Sequence, residues 1–432
     1  MTRKWLPLTA ICLGTFMLLV DSTIVNTALP RMAVSLDTSF AGLQWVVDAY
    51  VVTLACLVLG AGSLADAVGQ RRMYGIGLVV FAAASLAAGL APNAGVLIAA
   101  RALQGIGAAG MLATTFALLN SAYAGRDRGV AFGIWGAVSG LSAAVGPVLG
   151  GLLTQDVGWR SIFFVNLPVS VLALVLTARF LSADSHGASR ADVAGTVTFT
   201  LAAAALTFGL IRAHEQGWTS TTTLAIFAVA AAALAAFVGV EQRSTHPMLD
   251  LALFTRGSFV AVLVASLVVN FSALAYFTYI SIWLQSVLDL SPIGAGLVLL
   301  PLGVAGFVVS AAVGALGHGW PPRLVIGAGM LLIGAAAVVD LILVTATSTW
   351  TVLLPGLVLG GAGVGLATPA LAQSAMAAAP SQRAGMASGA VNAAASSGSR
   401  SGSPCSGPSS PPDFRTRSPL PLGRAAKSWP TP

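Results

Sequence analysis

Charged residues are scarce in this chain. Only 8% of its 432 residues are Asp, Glu, Lys or Arg, whereas an ordinary soluble domain carries about 25%. A soluble protein of this length needs far more charge to cover its surface, so the composition excludes a water-soluble globular fold. Hydrophobic residues make up 56% of the chain, which excludes a disordered protein as well. A polytopic membrane protein is the class that remains.

Cysteine and histidine are also rare, with three and four copies. Cys12 and Cys56 lie in apolar runs and Cys405 lies in the C-terminal tail. These positions do not form a disulfide framework. No CxxC or HExxH spacing occurs, so we predict no metal site. No clustered nucleophile or cofactor-binding set is visible, which disfavours an enzyme. The net charge of +7 is not concentrated on one segment, so we predict no nucleic-acid partner.

Twelve long apolar segments are bounded by charges or by Pro, Gly and Asn clusters, and each fits the thickness of a bilayer. Lipid cannot hydrogen-bond an open backbone, so we predict that these segments are helices and that the fold is all-α. The predicted spans are 6–29, 43–63, 73–91, 95–119, 129–153, 162–181, 193–212, 222–240, 258–286, 293–316, 323–345 and 350–374.

Basic residues fall mostly in alternate connections between these spans. With the N-terminus inside, twelve Lys and Arg residues lie in inside connections, and only Arg31, Arg160 and Arg212 lie outside. Cytoplasmic connections are enriched in positive charge. We therefore predict a multi-pass protein of the cell membrane, inner or plasma, with a cytoplasmic N-terminus.

The connections divide the chain into four regions. We predict a six-helix bundle over 1–181, a central pair of extra helices with cytoplasmic linkers over 182–256, an incomplete second bundle over 257–395, and a tail over 396–432. Two bundles around a site at the bilayer midplane are the usual architecture of secondary transporters.

The connection after the second span combines glycine, acid and base. Gly62 and Gly69 permit a tight turn, and Asp66 can pair with Arg71 and Arg72 across it. We interpret this segment as a tight cytoplasmic turn held by charge-assisted contacts. The alternative is a positive-inside topology signal with an acid present by chance.

Charged residues inside the predicted spans are the next candidates for functional residues. A carboxylate at Asp21 is expensive in an apolar helix, and an acid that can take up a proton suits proton coupling. Arg101 cannot lose its proton, so it must face the bundle interior and find an acceptor. The alternatives are a hydrogen bond between helices for Asp21 and a fixed bridging donor for Arg101. Asp48 is a weaker candidate, and Asp340, near the end of its helix, is expected to be solvated.

The fifth span carries small residues every few positions, which lets another helix backbone approach closely. A proline among them breaks one hydrogen bond and allows a bend. We predict a packing hinge rather than a ligand site, formed by Gly140, Gly146, Pro147, Gly150 and Gly151.

The ninth span is rich in aromatic residues beside Asn270. These side chains could line a cavity for apolar or cationic compounds. For Tyr279 and Trp283 a belt at the membrane interface is the alternative. The aromatic residues are Phe271, Tyr276, Phe277, Tyr279 and Trp283.

Four of these segments resemble signatures of one transporter family. Residues 62–72 resemble the cytoplasmic motif GxLaDrxGrkr of the major facilitator superfamily, although Ala67 and Gln70 replace basic residues. The resemblance implies that this segment acts as a conformational latch between the two bundles, formed by Gly62, Asp66, Gly69, Arg71 and Arg72. Residues 19–30 resemble the LDxTIVNVALP signature of fourteen-helix drug:proton antiporters of the EmrB/QacA type. Residues 101–109 are similar to the superfamily's RxxQGxgaA, and 146–151 are similar to the antiporter motif GPxxGG. The motifs stand in family order, and the resemblance covers residues 1 to about 395.

The resemblance implies a two-bundle fold with about twelve transmembrane helices in this chain. It implies a secondary active transporter that exports small hydrophobic or cationic compounds, such as drugs, in exchange for protons. The proton gradient supplies the energy without a cofactor, and the partners are the substrate, protons and the bilayer. An exporter of a specific metabolite and an inactive shortened product are the alternatives. The candidate coupling or substrate residues are Asp21, Asp48, Arg101, Gln104, Asn270 and Tyr276.

The tail from Ser396 onward is rich in Ser, Gly, Pro and Arg and contains no run long enough to span a bilayer. Residues 384–392, however, resemble the start of the family's thirteenth helix. We hypothesise a reading-frame change shortly after Asn392, with a disordered cytoplasmic tail as the alternative. In either case we expect this chain to lack the family's last two helices.

Overall fold

The computed structural model of this protein is helical. Across the part of the chain that it describes, no strand is present. The described residues are 2–182, 192–244, 247–249, 253, 255, 257–316, 320–345, 348–378, 388–389 and 392. The predicted tail over 396–432, with the proposed frame change, lies outside them.

The first half of the chain forms seven helices, which we call the first bundle. Ser39 and Asn93 cap two of them by accepting hydrogen bonds from the backbone N–H groups of Gly42 and Val96. After a short 3₁₀ turn over Thr2–Trp5, the helices are α1 (Leu6–Leu36), α2 (Phe40–Val68), α3 (Gln70–Gly89), α4 (Ala94–Ala122), α5 (Gly125–Asp156), α6 (Ser161–Phe164) and α7 (Asn166–Phe180).

Two further helices and then a second bundle of four follow. The pair packs against itself and against α2. The pair is α8 (Val193–Gln216) and α9 (Thr221–Arg243), and the second bundle is α10 (Gly257–Ser286), α11 (Pro292–Leu316), α12 (Pro322–Leu343) and α13 (Leu354–Ala378).

The number of spans agrees with the sequence prediction. Within the described ranges, eleven helices are long and apolar enough to cross a membrane, and the bent helix α5 makes a twelfth. The short α6 and the helix α7 together form one span over Ser161–Phe180. The predicted end of the first span at residue 29 is wrong. The helix continues through Pro30 to Leu36, because a proline removes only one hydrogen bond of a long ladder.

Helix packing in the second bundle repeats that of the first. Helix α3 packs on α4 and α12 packs on α13, and each pair crosses at two glycines. A Cβ atom at Gly77 would lie 2.7 Å from the Gly107 carbonyl oxygen, and one at Gly329 would lie 2.6 Å from the Gly363 carbonyl oxygen. Both crossings therefore require backbone-to-backbone contact, which favours the internal repeat suggested by the glycine-rich sequences.

The two bundles are joined along α5 and α11 and at one end of α13. A single cluster of buried apolar side chains contains Phe116, Phe132 and Trp135 of the first bundle together with Leu371 and Met376 of α13. This end of the molecule, where α1 begins and α4 and α13 end, is closed by the cluster.

Candidate functional site

Asp21 and Arg101 form an ion pair in the interior of the first bundle. Helices α1 and α4 bring the Arg101 Nη1 atom onto the Asp21 Oδ2 atom, and both side chains are wholly buried. Arg101 also donates through Nη1 to Gln104 Oε1 at 2.9 Å and through Nε to the Val46 carbonyl at 3.1 Å. The predicted candidates Asp21, Arg101 and Gln104 therefore lie in one cluster. Removing either charge would leave the other buried without its partner.

Amide and hydroxyl groups from α3, α4 and α7 complete this cluster. The second oxygen of Asp21 accepts hydrogen bonds from Asn166 Nδ2 at 2.8 Å and from Gln104 Nε2 at 3.3 Å. Ser85 Oγ lies 2.7 Å from the Gln104 amide and 3.4 Å from that of Asn166. Sequence reasoning missed Ser85 and Asn166. Asn166 had a recognisable signal, because it is a single amide in an otherwise apolar run.

Aromatic rings enclose the arginine. The guanidinium carbon of Arg101 lies 4.4 Å from the centre of the Tyr50 ring and 5.9 Å from that of Phe163. Tyr50 donates its hydroxyl to the Leu18 carbonyl at 3.2 Å. Among the described residues, Arg101 Nη2 has no hydrogen-bond partner. One donor of the cluster is therefore open to a further acceptor.

Asp48 lies on α2 and is half-buried. It follows Val46, the residue whose carbonyl accepts from Arg101, by two positions. The residue is thus on a helix that contacts the ion pair, and its role stays a prediction.

The predicted latch lies at the turn from α2 to α3. Gly69 has a φ of 110°, a conformation that side-chain-bearing residues rarely adopt, and it ends α2 and begins α3. Asp66 accepts a hydrogen bond from Gln70 at 2.6 Å, so the residue that replaces a basic one still binds the acid. Arg71 donates to the Ala178 carbonyl in the last turn of α7 at 2.5 Å, where a cation is favourable.

Two further latch candidates flank this turn. Gly62 lies on α2 one turn before Asp66, and Arg72 lies in the first turn of α3. The segment therefore ties the adjoining ends of α2, α3 and α7 together.

The glycine–proline motif on α5 presents two faces. A Cβ atom at Gly150 would lie 2.7 Å from the Ile24 carbonyl of α1, and one at Gly151 would lie 2.6 Å from Ile293 Cδ1 of α11. Gly146 shares the α1 face, and Pro147 packs against α11. Residues four apart lie on the same side of a helix, so the motif consists of two such pairs offset by one position. This spacing lets α5 pack against α1 of its own bundle on one side and against α11 of the second bundle on the other.

A bend of 44° separates the two parts of α5, Gly125–Ser142 and Val145–Asp156. Pro147 cannot donate to the carbonyl four residues earlier, and its ring collides with that carbonyl. The bend therefore lies one turn before the proline. Gly140 lies next to it, and a Cβ atom there would be 3.8 Å from the Gly303 carbonyl of α11.

The other half of α5 also touches α11 through its backbone. A Cβ atom at Gly133 would lie 2.7 Å from the Gly314 Cα atom. Ser310 donates its buried hydroxyl to the Gly133 carbonyl at 2.8 Å. Sequence reasoning missed this contact, because glycines are frequent throughout the chain.

The second bundle buries a single acid on α12. Asp340 Oδ2 accepts a hydrogen bond from Tyr276 of α10 at 2.6 Å, and Asp340 is only 9% exposed. The prediction that Asp340 is solvated is wrong. Gly356 of α13 has no side chain, and the carboxyl group fills the space where its Cβ atom would be. Asn270 does not join this pair, because it donates to the Ser266 carbonyl of its own helix at 2.8 Å.

A cavity of about 510 Å³ opens between α10 and α12 beside this acid. Three of the aromatic residues expected on a cavity wall line it, whereas Phe277 and Trp283 pack against the neighbouring apolar core. The principal lining residues are Phe271, Ser272, Tyr276, Tyr279, Met330 and Asp340. No group of acids, histidines or cysteines in the described part of the chain is arranged to hold a metal ion.

Two helical bundles joined through glycine contacts, with charged side chains buried inside membrane-spanning helices, define a polytopic carrier of the secondary-transporter class. The sequence profile of the Major Facilitator Superfamily matches residues 11–403. The chain belongs to this superfamily.

Several curated relatives are resistance proteins. The chain is 39% identical to the multidrug resistance protein Stp of Mycobacterium tuberculosis over 388 residues, which cover 89% of this chain and 72% of the relative. It is 33% identical to a methylenomycin A resistance protein of Streptomyces coelicolor, covering 88% and 80% of the two chains. It is 35% identical to a tetracenomycin C resistance and export protein of Streptomyces glaucescens, covering 90% and 72%.

Solved structures share the fold at low sequence identity. The human organic anion transporter MFSD10 aligns with a TM-score of 0.64 and 15% identity over 92% of both chains. The proton:xylose symporter XylE aligns with a TM-score of 0.66 and 13% identity over 92% of this chain and 87% of that one. These similarities confirm the predicted all-helical, two-bundle fold.

Proposed function

We propose that this protein exports small hydrophobic or cationic drugs across the cell membrane in exchange for protons. The relatives named as resistance and export proteins support the substrate class. The observation that carries the coupling is the Asp21–Arg101 pair, which holds an acid at full burial inside a span. In this proposal the proton gradient across the membrane is the energy source, and no cofactor takes part.

The chain fits the fourteen-helix drug:proton antiporter branch of the superfamily. The motifs stand in the order of that branch, and the pair α8 and α9 lies in sequence between the two bundles. With the N-terminus in the cytoplasm, as the distribution of basic residues favours, the closed end where α1 begins faces inward.

In the proposed transport cycle, Asp21 is the residue that binds the exchanged proton. As a carboxylate it binds Arg101, Gln104 and Asn166 and so ties α1 to α4 and α7. A protonated carboxyl attracts the arginine far less, which weakens the link between these helices. A proton arriving from outside would thus favour a different arrangement of the first bundle.

The contact between α5 and α11 is suited to the motion that follows. Small residues along both helices allow the backbones to slide or rock without interlocking side chains. The bend before Pro147 lies near the middle of α5, beside Thr23 of α1, whereas the latch around Asp66 lies at the end of α2. Rocking about α5 would close one end of the molecule as the other opens.

Ethidium efflux in proteoliposomes with an imposed pH gradient tests the proposal. The unsubstituted protein should export ethidium only when the pH gradient is present. Asp21→Asn should abolish gradient-driven export, whereas Asp21→Glu should retain part of it. Asp37→Asn is the matched control, because Asp37 caps the end of the same helix at an exposed position.

Each variant should elute as a monodisperse peak on size exclusion before transport is measured. Asp21→Asn with full gradient-driven export would refute the coupling role. Export of one compound from a broad panel, and of no dye, would favour the alternative of a specific metabolite exporter. A well-folded chain that moves no compound in the panel would favour an inactive shortened product.

A further inference from the structure

The two oxygens of Asp21 are held by different kinds of donor. Oδ2 is bound by Arg101 Nη1, and an arginine has donors only and keeps its charge in proteins. Oδ1 is bound by Asn166 Nδ2 at 2.8 Å and by Gln104 Nε2 at 3.3 Å. An amide side chain carries both donors and an acceptor. A proton taken up by Asp21 is therefore better accommodated on Oδ1, where a neighbouring group can change from donor to acceptor.

Of the two amides on Oδ1, Gln104 is fixed by its other contacts. Its oxygen accepts from Arg101 Nη1 at 2.9 Å, and its nitrogen donates to Ser85 Oγ at 2.7 Å. Turning this amide would place two donors against each other at the arginine. Asn166 is not constrained in this way, because no hydrogen bond in the described part of the chain reaches its side-chain oxygen. Asn166 is thus the amide that can turn.

The cluster is closed to solvent, so the protein's own groups must satisfy each protonation state of the acid. Asp21, Ser85 and Gln104 are wholly buried, and Asn166 is 3% exposed. A new O–H group on Oδ1 that faced only N–H donors would be a buried polar group without an acceptor, which is unfavourable. Half a turn of the Asn166 amide removes this problem, because it exchanges the nitrogen for the oxygen at nearly the same position and volume.

The charged and titratable groups that face Asp21 in the described contacts are Arg101 of α4 and Tyr50 of α2, whose ring packs on the guanidinium at 4.4 Å. Asp48 is two residues from Tyr50 and so points to another side of α2. On α1 the next charged residue is Arg31, almost three turns further on. The charged residues of α5 lie at its ends, and α3 and α7 contribute neutral side chains. Arginine and tyrosine keep their protons over the range in which carboxyl groups titrate, so the acid is the group whose charge changes.

We propose that Asn166 is the positioning residue that turns when Asp21 takes up the exchanged proton. A proton from water on the outer side binds to Oδ1, the carboxylate becomes a neutral carboxyl group, and no other covalent bond forms or breaks. The Asn166 oxygen then accepts the new O–H group, in place of the N–H group that it replaces. Ser85 holds the Gln104 amide throughout. This inference rests on the proposed proton exchange and deepens it.

The turn of Asn166 decides which helices loosen. The bond from α1 to α7 is present in both forms of the acid, because Asn166 donates to the carboxylate and accepts from the carboxyl group. The bond from α1 to α4 depends on the charge of Asp21, because Arg101 attracts a neutral carboxyl group far less. Uptake of a proton therefore loosens α4 from α1 while α7 stays attached.

Infrared difference spectroscopy between high and low pH tests this switch on the purified full-length chain in dodecyl maltoside. A protonated carboxyl group gives a C=O stretching band that a carboxylate lacks, and loss of the band in Asp21→Asn assigns it. Asn166→Leu should move the band to higher frequency, because the carboxyl group has lost a hydrogen bond. Asn270→Leu is the matched control and should leave the band in place, since that amide donates to the Ser266 carbonyl of its own helix.

A second spectral readout needs no substitution at Asn166. In a chain isotopically labelled at the side-chain carbonyl of asparagine, one asparagine C=O band should move to lower frequency at low pH, because its oxygen gains a hydrogen bond. This movement should be absent in Asp21→Asn. An unmoved carboxyl band in Asn166→Leu, or no asparagine band that follows protonation of Asp21, would overturn the switch.

These spectra do not depend on transport, so the switch and the proposed function can fail separately. If Asp21 is required for gradient-driven export but the carboxyl band is unmoved in Asn166→Leu, only the switch is wrong. If both bands respond as expected but no export occurs, only the transport proposal falls.

Discussion

Asp21 in the first bundle and Asp340 in the second are both buried carboxylates within membrane-spanning helices, and their surroundings are opposite. Asp21 has a cation and two amide donors. Asp340 has one phenol and faces a cavity. Arg101 balances the charge of Asp21, whereas no ion pair among the described residues includes Asp340. The comparison separates an acid held by a cation and two amides from an acid held by a single phenol.

The helices around each acid account for the difference. In the first bundle α7 packs against both α1 and α3 and brings the amide of Asn166 to Asp21. In the second bundle the corresponding helices α10 and α12 flank the open cavity. Among the described residues, the second bundle has no counterpart of the donor helix α7.

Removing the cation from the first cluster should have the largest effect. Arg101→Met leaves the Asp21 carboxylate buried without its partner and should lower the free energy of unfolding by about 3–5 kcal/mol. Titration with SDS in mixed micelles measures this change. Arg179→Met, at an exposed position in the last turn of α7, should alter it little. Similar losses in both variants would contradict a specific stabilising role for the Asp21–Arg101 ion pair.

Removing one amide donor should have the next largest effect. Asn166→Leu deletes a hydrogen bond to a charged group and should lower the free energy of unfolding by about 1.5–3 kcal/mol. The same titration applies. Asn270→Leu is the matched control, because that amide binds only a carbonyl of its own helix in the described contacts. A larger loss for Asn270→Leu would contradict the importance of α7 in the first cluster.

A substitution that pushes the two bundles apart should have the third largest effect on stability. A methyl group at Gly133 would lie 2.7 Å from the Gly314 Cα atom, so Gly133→Ala should lower the thermal stability of the purified protein by the equivalent of about 1–3 kcal/mol. Gly327→Ala meets open space and should be neutral or slightly stabilising, since alanine favours helix. An equally stable Gly133→Ala would show that α5 and α11 are not in close contact.

Neutralising the second acid should have the smallest effect, and its sign should be opposite. Asp340→Asn removes a charge that no described ion pair balances and should raise the free energy of unfolding by up to about 1 kcal/mol. Asp21→Asn, measured beside it, should lower that free energy because Arg101 loses its partner. Destabilisation by both variants would erase the distinction between the two acids.

Much of the site was predictable one residue at a time. Arg101 had to find an acceptor, because its charge cannot be shed in an apolar helix. The bend near Pro147 followed from the missing N–H group of proline. Asp340, in contrast, was misjudged from its place near a helix end. Its burial depends on Gly356 and Tyr276, which lie on two other helices.

The sequence by itself determined that this chain crosses a bilayer about twelve times, because the length of an apolar run and the demands of a backbone in lipid are local properties. Only the tertiary structure decided which polar groups meet inside the membrane. Asp21, Ser85 and Asn166 are far apart along the chain and come together through helix packing. Periodicity and composition describe each helix alone, whereas these contacts depend on how the helices are arranged around one another.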